Sequence, residues 1–150
     1  MVKAPNYYDL LQSKLDKVCT DSRSIQPGDI YLALKGERFD GNQFVLDAIA
    51  KGAEFAITDK IFDANDKVMP VNNTYDYLLE LALYHRRQMK AKIFALTGTN
   101  GKTTTKELLL HIFNKKYNTL ATKGNFNNHI GVPLTLLKLK PEHEFLILEM

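Results

Sequence analysis

The sequence predicts an α/β protein in two parts: a small N-terminal α/β domain over residues 1–72, and the first part of a parallel-sheet domain over residues 73–150. Three observations predict it. Short apolar runs alternate with stretches of helical periodicity. The turn formers Pro70-Val71-Asn72-Asn73-Thr74 separate two different patterns. After them the order is strand, Gly-containing loop, helix, strand, helix, strand. Strands joined through helices pair in parallel.

The N-terminal elements follow from local chemistry. Pro27-Gly28 makes a turn that introduces a strand over residues 29–35. Asn42 is placed to cap a helix whose apolar residues Phe44, Val45, Ala48 and Ile49 fall on one face, and Gly52 sits where a left-handed residue ends it. Residues 55–58 read as a buried strand. Cys19 reads as a buried strand residue, since no base partner is suggested near it.

Beyond the boundary, Thr74 is placed to cap a long helix. Tyr75, Leu78, Leu79, Ala82 and Leu83 recur there at helical spacing, and Arg86, Arg87 and Lys90 put positive charge near its C-terminal end. A strand over 93–97, a helix over 103–115, a strand near 119–122, a helix beginning near Pro133 and an apolar strand over 145–150 complete the order. A buried parallel strand should feed a loop and another helix, so the sequence reads as the N-terminal portion of a longer protein.

Composition narrows the function classes. Of the 150 residues 45% are apolar and 25% charged, enough apolar content to offset chain entropy and build a core. The apolar run Phe145-Leu146-Ile147-Leu148 falls far short of the roughly 20 residues that span a bilayer, so no membrane insertion is expected. Lys3, Asp9, Lys14, Asp16 and Lys17 interrupt any signal peptide. The single cysteine excludes an internal disulfide framework and fits a reducing cytoplasm. A net charge of +3 is too weak to imply nucleic acid. Residues 1–72 carry a balance of −2 and residues 73–150 a balance of +5, so an anionic ligand is better sought in the second half.

The most specific feature is Thr97-Gly98-Thr99-Asn100-Gly101-Lys102-Thr103-Thr104, between a predicted strand and helix. Gly98 and Gly101 let the backbone turn tightly and aim amide N–H groups inward. The helix that follows presents its positive end to the same point. Lys102, the candidate catalytic residue, supplies a full charge for outer phosphates, and the Thr103 hydroxyl is suited to Mg2+. The loop departs from the strict G-x-x-x-x-G-K-[ST] pattern, because Leu96 stands where the first glycine would fall. A Gly-rich turn with an incidental lysine would explain neither Thr103 nor the placement before a helix. Glu149 falls at the carboxyl end of a strand, the edge of an open α/β sheet where ligands collect. Alone it reads as a solvated carboxylate; with the phosphate loop upstream it reads as a metal ligand.

These residues resemble a known family. Ala95-Leu96-Thr97 followed by the loop 98–104 is similar to the ATP loop of the Mur ligases, in which the Leu96 departure is usual. Asp21-Ser22-Arg23, Pro27-Gly28-Asp29-Ile30-Tyr31 and Lys35-Gly36-Glu37-Arg38-Phe39-Asp40-Gly41-Asn42-Gln43-Phe44 resemble the N-terminal UDP-sugar-binding module of the later ligases. The most selective stretch, Gly124-Asn125-Phe126-Asn127-Asn128-His129-Ile130-Gly131-Val132-Pro133-Leu134-Thr135-Leu136-Leu137, resembles the branch that adds D-alanyl-D-alanine. The branch that adds the third amino acid usually carries a Thr-Thr-Pro pattern in that loop, absent here.

The resemblance covers essentially the whole chain. It implies a UDP-substrate-binding domain over 1–72 and the truncated start of a P-loop ATP-binding domain over 73–150. It also implies a cytoplasmic enzyme of peptidoglycan synthesis, and so of cell wall, cell shape and cell division, expected as a monomer. The implied reaction joins D-alanyl-D-alanine to UDP-N-acetylmuramoyl-tripeptide through an acyl phosphate, with ATP and Mg2+. Gly98, Thr99, Asn100, Gly101, Lys102, Thr103 and Thr104 would hold ATP phosphates, Thr103 and Glu149 the Mg2+, Ser22 and Arg23 the uridine diphosphate, and Asn127 and Asn128 the substrate. Asn-rich loops also form turns with self-bonded side chains, and Arg23 without the resemblance reads as a surface charge. His85, His111, His129 and His143 show no metal-ligand spacing. The alternatives are the branch adding the third residue and a nucleotide-binding module without catalysis. The 150 residues alone are expected to be inactive.

Overall fold

A computed structural model describes residues 6–37, 39–62, 65–124 and 126–150. Arg38 and Asn125, both within the motifs quoted above, lie outside the described residues. The architecture is α/β with two parallel sheets, in two compact units, Met1–Leu81 and Ala82–Met150. The helix at Thr74–Gln88 starts in the first unit and ends in the second.

The first unit opens with α1 (Tyr8–Leu11) and a 3-10 turn (Gln12–Lys17). Its sheet holds β1 (Val18–Cys19), β2 (Ile30–Leu32), β3 (Phe55–Thr58) and β4 (Val68–Pro70) in the order β1-β2-β3-β4. All three pairings are parallel, with Val18 beside Ile30, Ile30 beside Phe55 and Ala56 beside Val68. Strand β4 is absent from the sequence reading, because Pro70 marks a turn by its type. On an edge strand a missing N–H costs nothing on the solvent side, so proline is tolerated there.

Helix α2 (Val45–Ala50) crosses between β2 and β3. Val45, Ala48, Tyr31, Ala33, Ala56, Ile25 and Ala53 bury together between helix and sheet. Each large side chain among them contributes about 1.5–3 kcal/mol. The Tyr31 hydroxyl is satisfied by donating to the Gly41 carbonyl at 2.9 Å, and burial pushes its pKa up to about 12. Asn42 does not cap this helix. Asp40 does the capping, accepting from the Asn42 N–H at 3.0 Å at the head of a 3-10 turn over Gly41–Phe44. The Asn42 side chain is buried instead, accepting from the Thr58 hydroxyl at 2.5 Å and donating to Asp59 at 2.7 Å and Asp40 at 2.8 Å.

Helix α3 (Thr74–Gln88) differs from expectation in two respects. Asn73, not Thr74, accepts from the Asp76 N–H at 2.9 Å, while the Thr74 hydroxyl donates to the Ala33 carbonyl at 2.9 Å. Its buried face is Tyr77, Leu78, Leu81, Ala82 and His85, and Leu83 is exposed. Leu78 and Ala82 are buried as expected, but the buried face turns toward Tyr77, Leu81 and His85, leaving Tyr75 and Leu79 half-buried. A polar His85 on that face is satisfied by its Nε2 at 2.9 Å from the Leu139 carbonyl.

In the second unit β5 (Lys92–Leu96), β7 (Phe145–Glu149) and β6 (Thr119–Ala121) form a parallel sheet in the order β5-β7-β6. Helix α4 (Lys102–Phe113) connects β5 to β6, and α5 (Gly131–Leu136) connects β6 to β7. Leu146, Ile147 and Leu148 are buried, as a central parallel strand requires. Phe145 stacks edge-on against Phe113 and Tyr117, each with ring centroids 4.8 Å away. This aromatic contact fastens the C-terminal end of α4 over the start of β7, so the N-terminal end of α4 lies toward the other edge of the sheet.

Candidate functional site

Register builds the site in the second unit. Leu96 pairs with Glu149, so β5 and β7 end together, and Ala121 pairs with Ile147, so Thr122 follows β6 beside the end of β7. Beyond those ends, Met150 N–H donates to the Leu96 carbonyl and Thr122 N–H to the Ile147 carbonyl, each at 2.9 Å. The carboxyl edge thereby gathers Glu149, Thr122 and the loop leaving β5.

That loop turns as its glycines allow. Gly98 has φ 143° and Gly101 φ 75°, backbone conformations that side chains with a Cβ disfavour. Around either Cα the space where a Cβ would stand is open. Gly101 precedes α4 without a side-chain cap, which leaves the first helical N–H groups available to an anion. Lys102 is half-buried and folds back over the loop, its Nζ donating to the Gly98 carbonyl at 2.6 Å. Thr99, Asn100 and Thr104 are exposed around it.

Thr103 points to the strand edge. Its hydroxyl donates to Glu149 Oε1 at 3.0 Å, and the Asn127 side-chain amide donates to the same oxygen at 3.2 Å. Glu149 is 3% exposed, and its backbone N–H donates to the Thr122 hydroxyl at 3.0 Å. Its second oxygen, Oε2, is buried with no hydrogen-bond partner among the described residues. A buried carboxylate oxygen left bare costs free energy unless a ligand completes it. The hydroxyl of Thr103 and the carboxylate of Glu149 are hard oxygen donors of the type Mg2+ takes, so the donor set fits that ion.

Asn128 has a local task. Its side-chain oxygen accepts from the N–H groups of Ile130 at 3.1 Å and Gly131 at 2.7 Å, shaping the turn into α5. A Cβ on Gly131 would stand 2.4 Å from the Phe126 backbone, so glycine is what lets the Asn127 segment lie this close.

The first unit holds the other two sequence-predicted residues. Ser22 is buried, and its carbonyl accepts from Lys51 Nζ at 3.2 Å. Arg23 is largely exposed and forks onto Asp21, with Nε–Oδ1 at 2.9 Å and Nη2–Oδ2 at 2.7 Å. The guanidinium, with the Arg23 backbone N–H, pulls the Asp21 carboxyl down to about 2. Cys19 is only half-buried, with its thiol 3.3 Å from the Asp21 carbonyl.

The residue that sequence reasoning missed is Lys106 of α4, which is 1% exposed with its Nζ donating to the Thr122 carbonyl at 2.9 Å. It follows Lys102 by four positions and Thr103 by three, so the spacing puts it on the same helix face. Its type points to solvent, and only that spacing signals otherwise.

Residues 14–96 match the Mur ligase family catalytic-domain model and residues 96–150 the Mur ligase middle-domain model. The chain belongs to the Mur ligase family. Among Mur ligases it is 43% identical over 136 residues to the UDP-N-acetylmuramoyl-tripeptide–D-alanyl-D-alanine ligase of Escherichia coli, covering 91% of this chain and 30% of that protein. It superposes on MurF from Acinetobacter baumannii with a TM-score of 0.81 at 45% identity, covering 89% of this chain and 30% of that one. It also superposes on MurF from Thermotoga maritima in complex with ADP, with a TM-score of 0.77 at 34% identity over 91% of this chain and 33% of that one. The chain spans about 30% of the length of the relatives it matches.

Proposed function

We propose that this Mur ligase chain carries the ATP-phosphate and UDP-substrate contacts of an enzyme that joins D-alanyl-D-alanine to UDP-N-acetylmuramoyl-tripeptide. The observation that carries the reading is the 3.0 Å hydrogen bond between Thr103 and Glu149 beside the open Gly98–Gly101 loop. It joins a P-loop hydroxyl to an acidic strand end, the pairing that phosphoryl transfer needs. Similarity to D-alanyl-D-alanine ligases over nine-tenths of the chain supports the choice of branch.

A carboxylate is a poor acyl donor. Transfer of the ATP γ-phosphoryl group to the substrate's terminal carboxylate forms an acyl phosphate and leaves ADP. The amine of D-alanyl-D-alanine then attacks the acyl carbon, an amide forms, and inorganic phosphate leaves with the carboxylate oxygen. Backbone N–H groups of Gly98 to Thr104 cradle the phosphates. Lys102 leaves the Gly98 carbonyl to contact an outer phosphate and offsets the charge developing there. Thr103 and Glu149 would hold Mg2+, which when bound supplies further positive charge to the transferred group. Asn127 orients Glu149 and, with Asn128 shaping its turn, faces the substrate. Ser22 and Arg23 contact the uridine diphosphate. The enzyme works in the cytoplasm as a monomer and serves cell-wall synthesis, and through it cell shape and division. Residues 1–150 alone bind ligand without turnover.

Phosphate release by the full-length protein, assayed with UDP-N-acetylmuramoyl-tripeptide and D-alanyl-D-alanine against the dipeptide-linked precursor and single amino acids, tests this. Turnover is expected with the tripeptide and D-alanyl-D-alanine. Turnover with a single amino acid alone would move the chain to the branch that adds the third residue.

A further inference from the structure

We infer that Lys106 is a positioning residue for Glu149: its buried ammonium, tied to the end of β6, holds the carboxylate at the phosphate loop with Oε2 free for a divalent cation. The inference rests on the phosphate-loop reading above and adds to it a residue of the α4 interior.

Lys106 is 1% exposed, and its Nζ donates to the Thr122 carbonyl at 2.9 Å. Thr122 in turn accepts the Glu149 N–H through its hydroxyl at 3.0 Å. A buried lysine therefore ties α4 to the residue on which Glu149 hangs. Two carboxylates lie near the ammonium, Glu107 Oε1 at 3.0 Å and Glu149 Oε2 at 3.8 Å. The Glu107 side chain is 61% exposed, so water screens it, whereas that of Glu149 is 4% exposed. At lower effective dielectric the longer contact is the stronger one. At 3.8 Å it is also too long to be a hydrogen bond. The ammonium thus balances the carboxylate charge without occupying the oxygen. The two lysines of α4 divide the work, Lys102 toward the phosphates and Lys106 toward the carboxylate.

The test uses the full-length protein with Lys106→Met, which keeps the stem, and Lys106→Gln, which keeps a donor for the Thr122 carbonyl and removes the charge. The first readout is a nucleotide-free thermal double-mutant cycle with Glu149→Gln, run beside a control cycle with Glu107→Gln. Lys106→Met is expected to lower the midpoint by about 5 °C or more, and by less than half of that in the Glu149→Gln background. Equal losses in both backgrounds, or coupling to Glu107 in place of Glu149, would overturn the inference. If Lys106→Met does not fold, Lys106→Gln runs the same cycle.

The second readout is the Mg2+ concentration that half-saturates binding of a fluorescent ATP analogue. Loss of a group that orients a metal ligand typically costs 10–100-fold, so either variant should raise that midpoint about tenfold or more while metal-free analogue binding stays the same. An unchanged midpoint would overturn the inference. Failure of the unsubstituted chain to bind Mg2+ and the analogue would instead sink the phosphate-loop reading, and the thermal cycle would still decide whether Lys106 holds Glu149.

Discussion

The Thr103 hydroxyl donates a 3.0 Å hydrogen bond to Glu149 across 46 residues of sequence. Strand register creates that contact. Leu96 pairs with Glu149, the loop leaving β5 spans five residues, and α4 begins at Lys102. The first turn of the helix then meets the end of β7.

Replacing Lys102 by Ala should weaken binding of Mg2+ and ATP about 10–100-fold, the worth of a charge-assisted contact of about 1.5–3 kcal/mol. Since Lys102 is half-buried and its partner is a loop carbonyl, the thermal midpoint should hardly move. Titration calorimetry beside a melting curve checks both; a folded variant that binds as well as the parent would refute the assignment.

Gly131→Ala should destabilise the second unit by about 1–3 kcal/mol, the usual scale for overpacking. The new methyl would collide with the Phe126 backbone at 2.4 Å and push the Asn127 segment off Glu149. Denaturant unfolding gives the first quantity. Chemical-shift changes at Asn127 and Glu149 report the second, and their absence would show that the loop relaxes elsewhere.

Asn42→Ala should cost about 2–4 kcal/mol, because it strands the buried Thr58 hydroxyl and removes donors to Asp59 and Asp40. A loss below 0.5 kcal/mol in urea unfolding would mean that water replaces the side chain. Asn42→Asp should be worse, since it sets a third carboxylate beside the first two.

The Lys60 ammonium, helped by the Asn42 side chain, pulls the Asp40 carboxyl down from its ordinary 3.8 to about 2. The folded form therefore prefers the carboxylate. The stability this contributes is present above the unfolded value of 3.8 and is lost as pH falls from there toward 2. A carbon-13 NMR titration should find the Asp40 midpoint near 2 and, in Lys60→Met, nearer 3.8. Identical midpoints in the two proteins would remove the ion pair as the cause.

Leu146→Ala should destabilise by about 2–5 kcal/mol, since the side chain is fully buried at the centre of the β5-β7-β6 sheet. Leu108→Ala, on an exposed face of α4, should change stability by less than about 1 kcal/mol. Chemical denaturation that ranks the two equally would contradict the central place of β7.

Residues 55–58 form the strand expected of them, and the loop at Gly98 and Gly101 turns as glycines permit, because those features depend on neighbours in sequence. Helix caps were legible only to within a residue or two: Asn73 and Asp40 cap where Thr74 and Asn42 were expected, since several polar side chains lie within reach of the same N–H groups. Leu78 and Ala82 were legible on the buried face of α3, but its turn toward Tyr77 and Leu81 was not, because apolar side chains occur on more than one face of that helix.

By itself the sequence determined the α/β order, the phosphate loop and the resemblance to the Mur ligases, all of which rest on short-range chemistry. Tertiary structure decided that Glu149 meets Thr103, that Asn127 joins them, and that Lys106 lies buried against Thr122 and Glu149. Those placements follow from strand register and from how α4 packs on the sheet. Both minimise the summed burial cost of residues far apart in the chain, which no local window contains.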